Sequence, residues 1–220
     1  MATTLTAPQT APTHGSARFL AWTQAHQKLL TIVGGVVLGA ALVVWFLITA
    51  AARREDFANR GLNQARGIAE TGNIVLASTE FQKLIDTYPG SAAAREAEIS
   101  LNQLRLISGQ HELAIVRLRE FLKADLEPKY KAAGNALLGA ALENSNKQAE
   151  AGDAYKAASA AAILDYLKAD YLVQAARAYA AGGKNADAIA AFKTVIDTYH
   201  ETPAVTEAQV RLSELTKGEM

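Results

Sequence analysis

The fold is decided by residues 81–91, FQKLIDTYPGS, which return in a similar form at residues 192–202 as FKTVIDTYHET. Both segments begin with Phe, place an apolar residue three positions later, and continue as Ile-Asp-Thr-Tyr. The two copies lie 111 positions apart. Similarity at a fixed interval is the signature of a repeat architecture, so we expect a shorter period between the copies.

The shorter period is 37 residues, one third of that interval. Ala recurs at Ala77, Ala114, Ala151 and Ala188; a large residue follows each four places later, at Phe81, Leu118, Tyr155 and Phe192; and a turn residue precedes each by five, at Gly72, Gly109, Asn146 and Gly183. We expect helical hairpins in which Gly or Asn ends the first helix in the left-handed conformation. The Ala then lets the two helices touch, and the large residue fills the space one turn later. Leu138 and Gly139 are part of the opposing surface on a first helix.

The sequence after residue 55 is rich in Ala, Leu, Glu, Lys and Gln, while Gly and Pro fall mostly at boundaries. This pattern predicts an all-α domain. We expect hairpins at about 55–90, 91–126, 128–163 and 165–201. A final helix over 204–217 would then cap the stack with its polar face.

These marks resemble the tetratricopeptide repeat, whose pattern has a Leu-Gly pair, a Tyr, a turn Gly, an Ala, an aromatic residue and a closing Pro. Leu138-Gly139, Tyr179, the turn glycines and the Ala set match this pattern, and Pro89 and Pro203 lie near hairpin ends. The period of 37 differs from the usual 34, and the Leu-Gly pair is intact in one hairpin. The resemblance implies an α-solenoid of about four hairpins that binds other proteins.

The N-terminal region has a different composition. Residues 1–17 are rich in Thr, Ala, Pro and Gln, and we expect a flexible tail. Within residues 18–54, the stretch 29–52 has no charge. As a helix it would be roughly 36 Å long, enough to cross a hydrocarbon core of about 30 Å. We interpret it as a transmembrane helix, because a cleaved signal peptide has a shorter apolar region of ~7–15 residues.

Gly35 and Gly39 in this stretch form a G-x-x-x-G pattern, which predicts close packing against another membrane helix. No helix breaker separates Ala50 from Gly61, so we expect the membrane helix to continue into the first repeat helix. Near the span, two Lys or Arg residues precede it and four follow it. Taken alone, this count favours a cytoplasmic repeat domain, although large C-terminal domains cross largely regardless of charge.

Composition excludes several function classes. Lys plus Arg equals Asp plus Glu at 22 each, so the chain lacks the overall basic excess of nucleic-acid binders. It has no Cys, its four His are scattered, and it contains no hydrolase, zinc-protease or dinucleotide-binding motif. We therefore expect no catalytic site, no metal, no cofactor and no small-molecule substrate.

What remains is a surface for protein contacts. Stacked hairpins form a groove lined by their first helices. The period places eight residues there: Leu62, Arg66, Ile99, Gln103, Ala136, Ala140, Val173 and Arg177. We expect an apolar groove with a few cations, suited to an extended or helical peptide.

A single anchor, in QKLLTIVGGVVLGAALVVWFL, followed by repeat ends like FQKLIDTYPGS resembles the ancillary subunit of the bacterial Sec translocon. That resemblance implies an inner-membrane protein with a periplasmic repeat domain and with translocon subunits or chaperones as partners. Two alternatives stay open: a structural or assembly subunit of another membrane complex, and a scaffold that faces the cytoplasm.

Overall fold

The structure, a computed structural model, describes Phe19 and residues 22–216; the tail over residues 1–17 and the last four residues lie outside this part of the chain. The chain divides into two compact units, one up to Arg53 and one from Arg54 onward. No strand occurs in the described residues. The predicted all-α fold is therefore confirmed.

The helices follow the predicted order. They are α1 Gln27–Glu70, α2 Ile74–Thr87, α3 Ala92–Ile107, α4 His111–Phe121, α5 Pro128–Asn144, α6 Gln148–Ala161, α7 Asp165–Ala181, α8 Asn185–Thr198 and α9 Ala204–Thr216. Hairpin 1 joins the end of α1 to α2, hairpins 2 to 4 are α3–α4, α5–α6 and α7–α8, and α9 is the closing helix. This is the predicted solenoid of four hairpins with a cap.

The first unit contains the apolar part of α1. This helix is long and apolar enough to cross a membrane, and none of its most apolar window is buried within the protein. Added Cβ atoms at Gly35 and Gly39 would meet nothing within 4 Å. The apolar surface of this segment is thus exposed along its length.

The turns inside the hairpins repeat one geometry. Gly72, Gly109 and Gly183 have φ values of 82°, 72° and 76°, and Asn146 has a φ of 57°. In hairpin 2, Gly109 N donates to Leu106 O and Gln110 N donates to Arg105 O at 2.8 Å. These two bonds are a Schellman motif, which satisfies carbonyl groups at the end of the helix.

Hairpins 3 and 4 repeat that motif, with Lys147 N donating to Leu142 O and Lys184 N to Tyr179 O. Hairpin 1 differs, because the side chain of Asn73 there accepts a hydrogen bond from Leu76 N and caps α2. Gly or Asn at 37-residue spacing therefore ends the first helix of all four hairpins.

The helix contacts use the small and large residues of the period. Ala77, Ala114, Ala151 and Ala188 are all 0% exposed, and the large residues that follow them are 0–3% exposed. The core is not a single cluster. One cluster joins α1, α2 and α3, a second joins α4 to α8, and a third joins α7, α8 and α9. Stability is therefore distributed between neighbouring hairpins.

A carboxylate also links hairpins 1 and 2. Glu55 on α1 accepts hydrogen bonds from the backbone N–H groups of Ala92, at 3.3 Å, and Ala93, at 3.0 Å. Ser91 caps the same helix by accepting a bond from Ala94 N. Together they satisfy three donors at the start of α3, where a negative charge is also favourable.

Candidate interaction surface

The residues predicted for the groove fall into two groups. Leu62 and Val173 are each 3% exposed and belong to hydrophobic clusters. Each packs against neighbouring helices, Leu62 in the cluster of α1, α2 and α3 and Val173 in the cluster of α7, α8 and α9. This placement corrects the prediction for these two residues, whose side chains do not face a ligand.

The other six are exposed or half-buried on the first helices, and we call them the A face: Arg66, Ile99, Gln103, Ala136, Ala140 and Arg177. Between its two arginines, the A face carries short or uncharged side chains. A peptide backbone can approach such a surface closely, since little bulk projects from it.

Both arginines of the A face are paired with a neighbouring helix. Arg66 Nη2 lies 2.7 Å from Glu96 Oε2 on α3, and Arg177 Nη1 lies 3.8 Å from Glu207 Oε1 on α9. Exposed pairs of this kind contribute ~0–1 kcal/mol to stability. The main effect of the two glutamates is to compensate the positive charges of Arg66 and Arg177. The A face therefore attracts acidic ligands less than the sequence predicts.

Two tyrosines secure the packing of hairpins 3 and 4. Added Cβ atoms at Gly139 and Gly152 would lie 2.7 Å from the ring of Tyr155 and 2.4 Å from that of Tyr179. The hydroxyl of Tyr155 donates to Glu143 Oε2 at 2.7 Å, and that of Tyr179 donates to Asp153 Oδ1 at 2.6 Å. Glycine is required at both places, because a methyl group would occupy the space of the ring.

Burial, reinforced by the carboxylate partner, raises the pKa of both phenols well above the ordinary value. They stay protonated and act as hydrogen-bond donors. The 37-residue period predicts Gly139 and Tyr155 as packing residues, but it does not predict Gly152, which lies under Tyr179. The only signal was Gly152 beside Ala151, in a helix that needs no glycine for its backbone conformation.

Arg105, which is buried in hairpin 2 at 9% exposed, is likewise absent from the residues predicted from the sequence. A signal was present, since the positions 37 residues before and after it hold Ile68 and Leu142. A charged residue in an apolar register is unusual in a repeat core.

Among the described residues, no group of three or more His, Asp or Glu side chains is placed to hold a metal ion. His26 and His200 are exposed, and His111 is half-buried.

Comparison with known families supports a repeat protein. Residues 170–201 match the family profile of the tetratricopeptide repeat. The match covers most of α7 and all of α8, so it corresponds to hairpin 4. No curated protein matches the chain. Tetratricopeptide-repeat proteins are typically non-enzymatic scaffolds, and the match supports protein–protein interaction as the general role.

Proposed function

We propose that this chain is a single-span membrane protein whose repeat domain binds other proteins through the A face, without catalysing a reaction. The observation that carries the proposal is the A face itself: first helices in regular register, with short side chains between two neutralised arginines. Grooves of this kind accept an extended chain or an amphipathic helix.

The membrane part of the proposal rests on the apolar stretch of α1. Its exposed apolar side chains include Ile32, Val36 and Phe46, each at least 66% exposed. Contiguous apolar surface of this extent is costly in water and favourable in a bilayer. We place the repeat domain on the periplasmic side of a bacterial inner membrane, because the chain resembles the translocon subunit.

The finer role we propose is that of an accessory subunit of the Sec translocon or of its periplasmic chaperone network. The alternative is a structural or assembly subunit of another membrane complex, or a scaffold facing the cytoplasm. The balance of Lys and Arg around the span favours the scaffold.

Photocrosslinking in living cells tests the A face. A photoreactive residue would replace Arg66 or Arg177, with matched controls at Lys156 and Lys193, which are exposed on the second helices α6 and α8. We expect adducts from the A face and few from the controls. Equal adducts from both sets would contradict the proposed surface.

Mass spectrometry of the adducts separates the finer roles. Translocon subunits or chaperones would support the first role, whereas co-purification in fixed ratio with an unrelated complex would support the structural one. Proteolysis of intact spheroplasts tests the topology. A periplasmic repeat domain is digested, and a cytoplasmic one is protected.

A further inference from the structure

Hairpin 2 departs from the other hairpins at three positions of α3, of which the last two are buried. It carries polar side chains, Glu98, Asn102 and Arg105, where the other three hairpins carry mostly small or apolar ones. The equivalent residues are Gly61, Ala65 and Ile68; Asn135, Gly139 and Leu142; and Leu172, Ala176 and Tyr179. Departures from a local packing rule are expected at functional sites.

Two of these side chains, those of Asn102 and Arg105, are hydrogen-bonded to each other, and Asn102 is also bonded to the backbone carbonyl of Glu98. Asn102 is 0% exposed; its Nδ2 donates to Glu98 O at 2.9 Å, and its Oδ1 accepts from Arg105 Nη1 at 3.0 Å. Among the residues the structure describes, no carboxylate forms an ion pair with Arg105. A guanidinium has five N–H donors, so most of its capacity is unused.

A largely buried cation without a directly paired carboxylate is unfavourable. Burial lowers the pKa of Arg105, and Glu98 opposes this shift only through space. Arg nevertheless stays charged at neutral pH. A carboxylate brought to the guanidinium from outside would therefore gain a charge-assisted, bidentate hydrogen bond in a partly desolvated place.

Arg105 lines a groove of about 680 Å³ between α2, α3 and α4. Leu101 and Arg105, both buried, form its base, and Val75 and Leu113, which are 79% and 43% exposed, stand at its edges. The remaining lining is one face of α2, which includes Ser78, Gln82, Lys83 and Asp86, and the turn between α3 and α4. A volume of this size is typical of ligand sites.

The charge of the groove favours an anion at its base. Besides Arg105, its charged residues are Lys83 and Asp86, and Asp86 already accepts a hydrogen bond from Gln82 at 3.0 Å. Lys83 contacts Glu80 at 3.7 Å and is highly exposed. Aliphatic side chains beside a central cation complement a segment with an acidic residue among aliphatic ones.

This groove is separate from the A face. Arg105 and the A-face residue Gln103 are two positions apart on α3, which corresponds to a rotation of about 200° around a helix. The two surfaces therefore lie on nearly opposite sides of the same helix, and a ligand on one does not cover the other.

We propose that the groove between α2, α3 and α4 binds a peptide segment of a partner protein in which one Glu or Asp is flanked by aliphatic residues. The carboxylate pairs with the Arg105 guanidinium, and the aliphatic side chains contact Val75, Leu101 and Leu113. This site goes beyond the proposed function because it uses another surface, and it can fail while the A face binds normally.

Binding of defined peptides to the full chain in nanodiscs tests the site. The probes are 12-residue peptides with blocked ends, each with one central Glu among Leu, Ile, Val, Ala and Ser, and each paired with a twin carrying Gln. We expect the best Glu peptide to bind about tenfold more tightly than its twin, as measured by fluorescence anisotropy. If no Glu peptide exceeds its twin, the proposal is wrong.

Variants show whether Arg105 and the groove account for the preference. Arg105→Leu installs the residue that hairpin 3 has at this position, and it should remove the preference for Glu while circular dichroism stays unchanged. Arg119→Leu, a change at an exposed arginine outside the groove, should leave the preference intact. A preference that survives Arg105→Leu would overturn the assignment.

Two further measurements test whether the groove itself is the binding site and whether its ligand is a peptide. Ser78→Trp narrows the groove from α2 and leaves Arg105 unmutated, so it should abolish binding even if Arg105→Leu fails to fold. Retained binding would contradict the site. N-acetylglutamate should compete only weakly. If it binds as tightly as the peptides, the site takes a small carboxylate and the peptide proposal is wrong.

Discussion

The turn residues inside the hairpins share one backbone conformation, with positive φ. Gly109 and Asn146 occupy the same place in successive hairpins, and both have positive φ. An added Cβ at Gly109 would meet nothing within 4 Å, so any cost of a side chain there is conformational and not steric. Asn tolerates this conformation better than Ala does, because its short polar side chain can bond locally.

We therefore predict that Gly109→Ala lowers the free energy of unfolding by ~1–2 kcal/mol. Gly109→Asn, which copies the residue at position 146, should cost clearly less. Urea unfolding of the full chain in detergent, followed by circular dichroism, measures both. Equal losses for Ala and Asn would show that the left-handed conformation does not determine the cost.

At the scale of helices, two close helix–helix contacts each place the ring of a tyrosine against a glycine. Tyr179 on α7 lies over Gly152 of α6, and Tyr155 on α6 lies over Gly139 of α5. The hydroxyl of each ring is held by a carboxylate, so the ring cannot move aside without losing a hydrogen bond. The spacing of these helices is fixed by the two tyrosines.

Gly152→Ala should therefore destabilise the protein by ~1–3 kcal/mol, because its methyl group would overlap the ring of Tyr179. Gly67→Ala is the matched control: Gly67 lies within α1, and an added Cβ there meets nothing within 4 Å. It should stabilise by ~0.5–1 kcal/mol through helix propensity alone. Thermal unfolding of the two variants should shift in opposite directions, and a shift in the same direction would contradict the packing account.

At the scale of the molecule, the described residues form three hydrophobic clusters, and α9 covers the cluster that it shares with α7 and α8. Ala208 and Leu212 of α9 are buried at 0% and 1% exposed, while Val210 between them is 53% exposed. The closing helix thus has one buried side and one open side. Without it, the apolar surface of hairpin 4 would face water.

Leu212→Ala should destabilise the end of the stack by ~2–5 kcal/mol, whereas Val210→Ala should change stability by less than ~0.5 kcal/mol. Because each hairpin contacts mainly its neighbours, we expect faster hydrogen exchange in α8 and α9 but not in α2. Mass spectrometry resolves these segments. Uniformly faster exchange along the whole domain would contradict the distributed core.

The sequence predicts most of this fold, because the 37-residue period alone locates three kinds of residue. These are the turn residues, the Ala residues at the helix contacts and the large residues that follow them. The period does not predict the burial of side chains that lie at the boundary between the buried and the exposed side of a helix. Leu62 and Val173 share a helix face with Arg66 and Arg177, yet an offset of about 40° around the helix separates a buried pair from an exposed one. Gly152 and Arg105 were missed because their roles depend on contacts with another helix, which spacing alone does not show.

The constant interval between turns has a consequence for how the chain can change in length. Duplication or excision of 37 residues, from the start of one hairpin to the start of the next, leaves every remaining hairpin with a neighbour of matching register. Such an event in hairpin 3 or 4 would alter the extent of the array and little else. In hairpin 2 it would add or delete the buried arginine, so that a change in size would also change which ligands the array can accept.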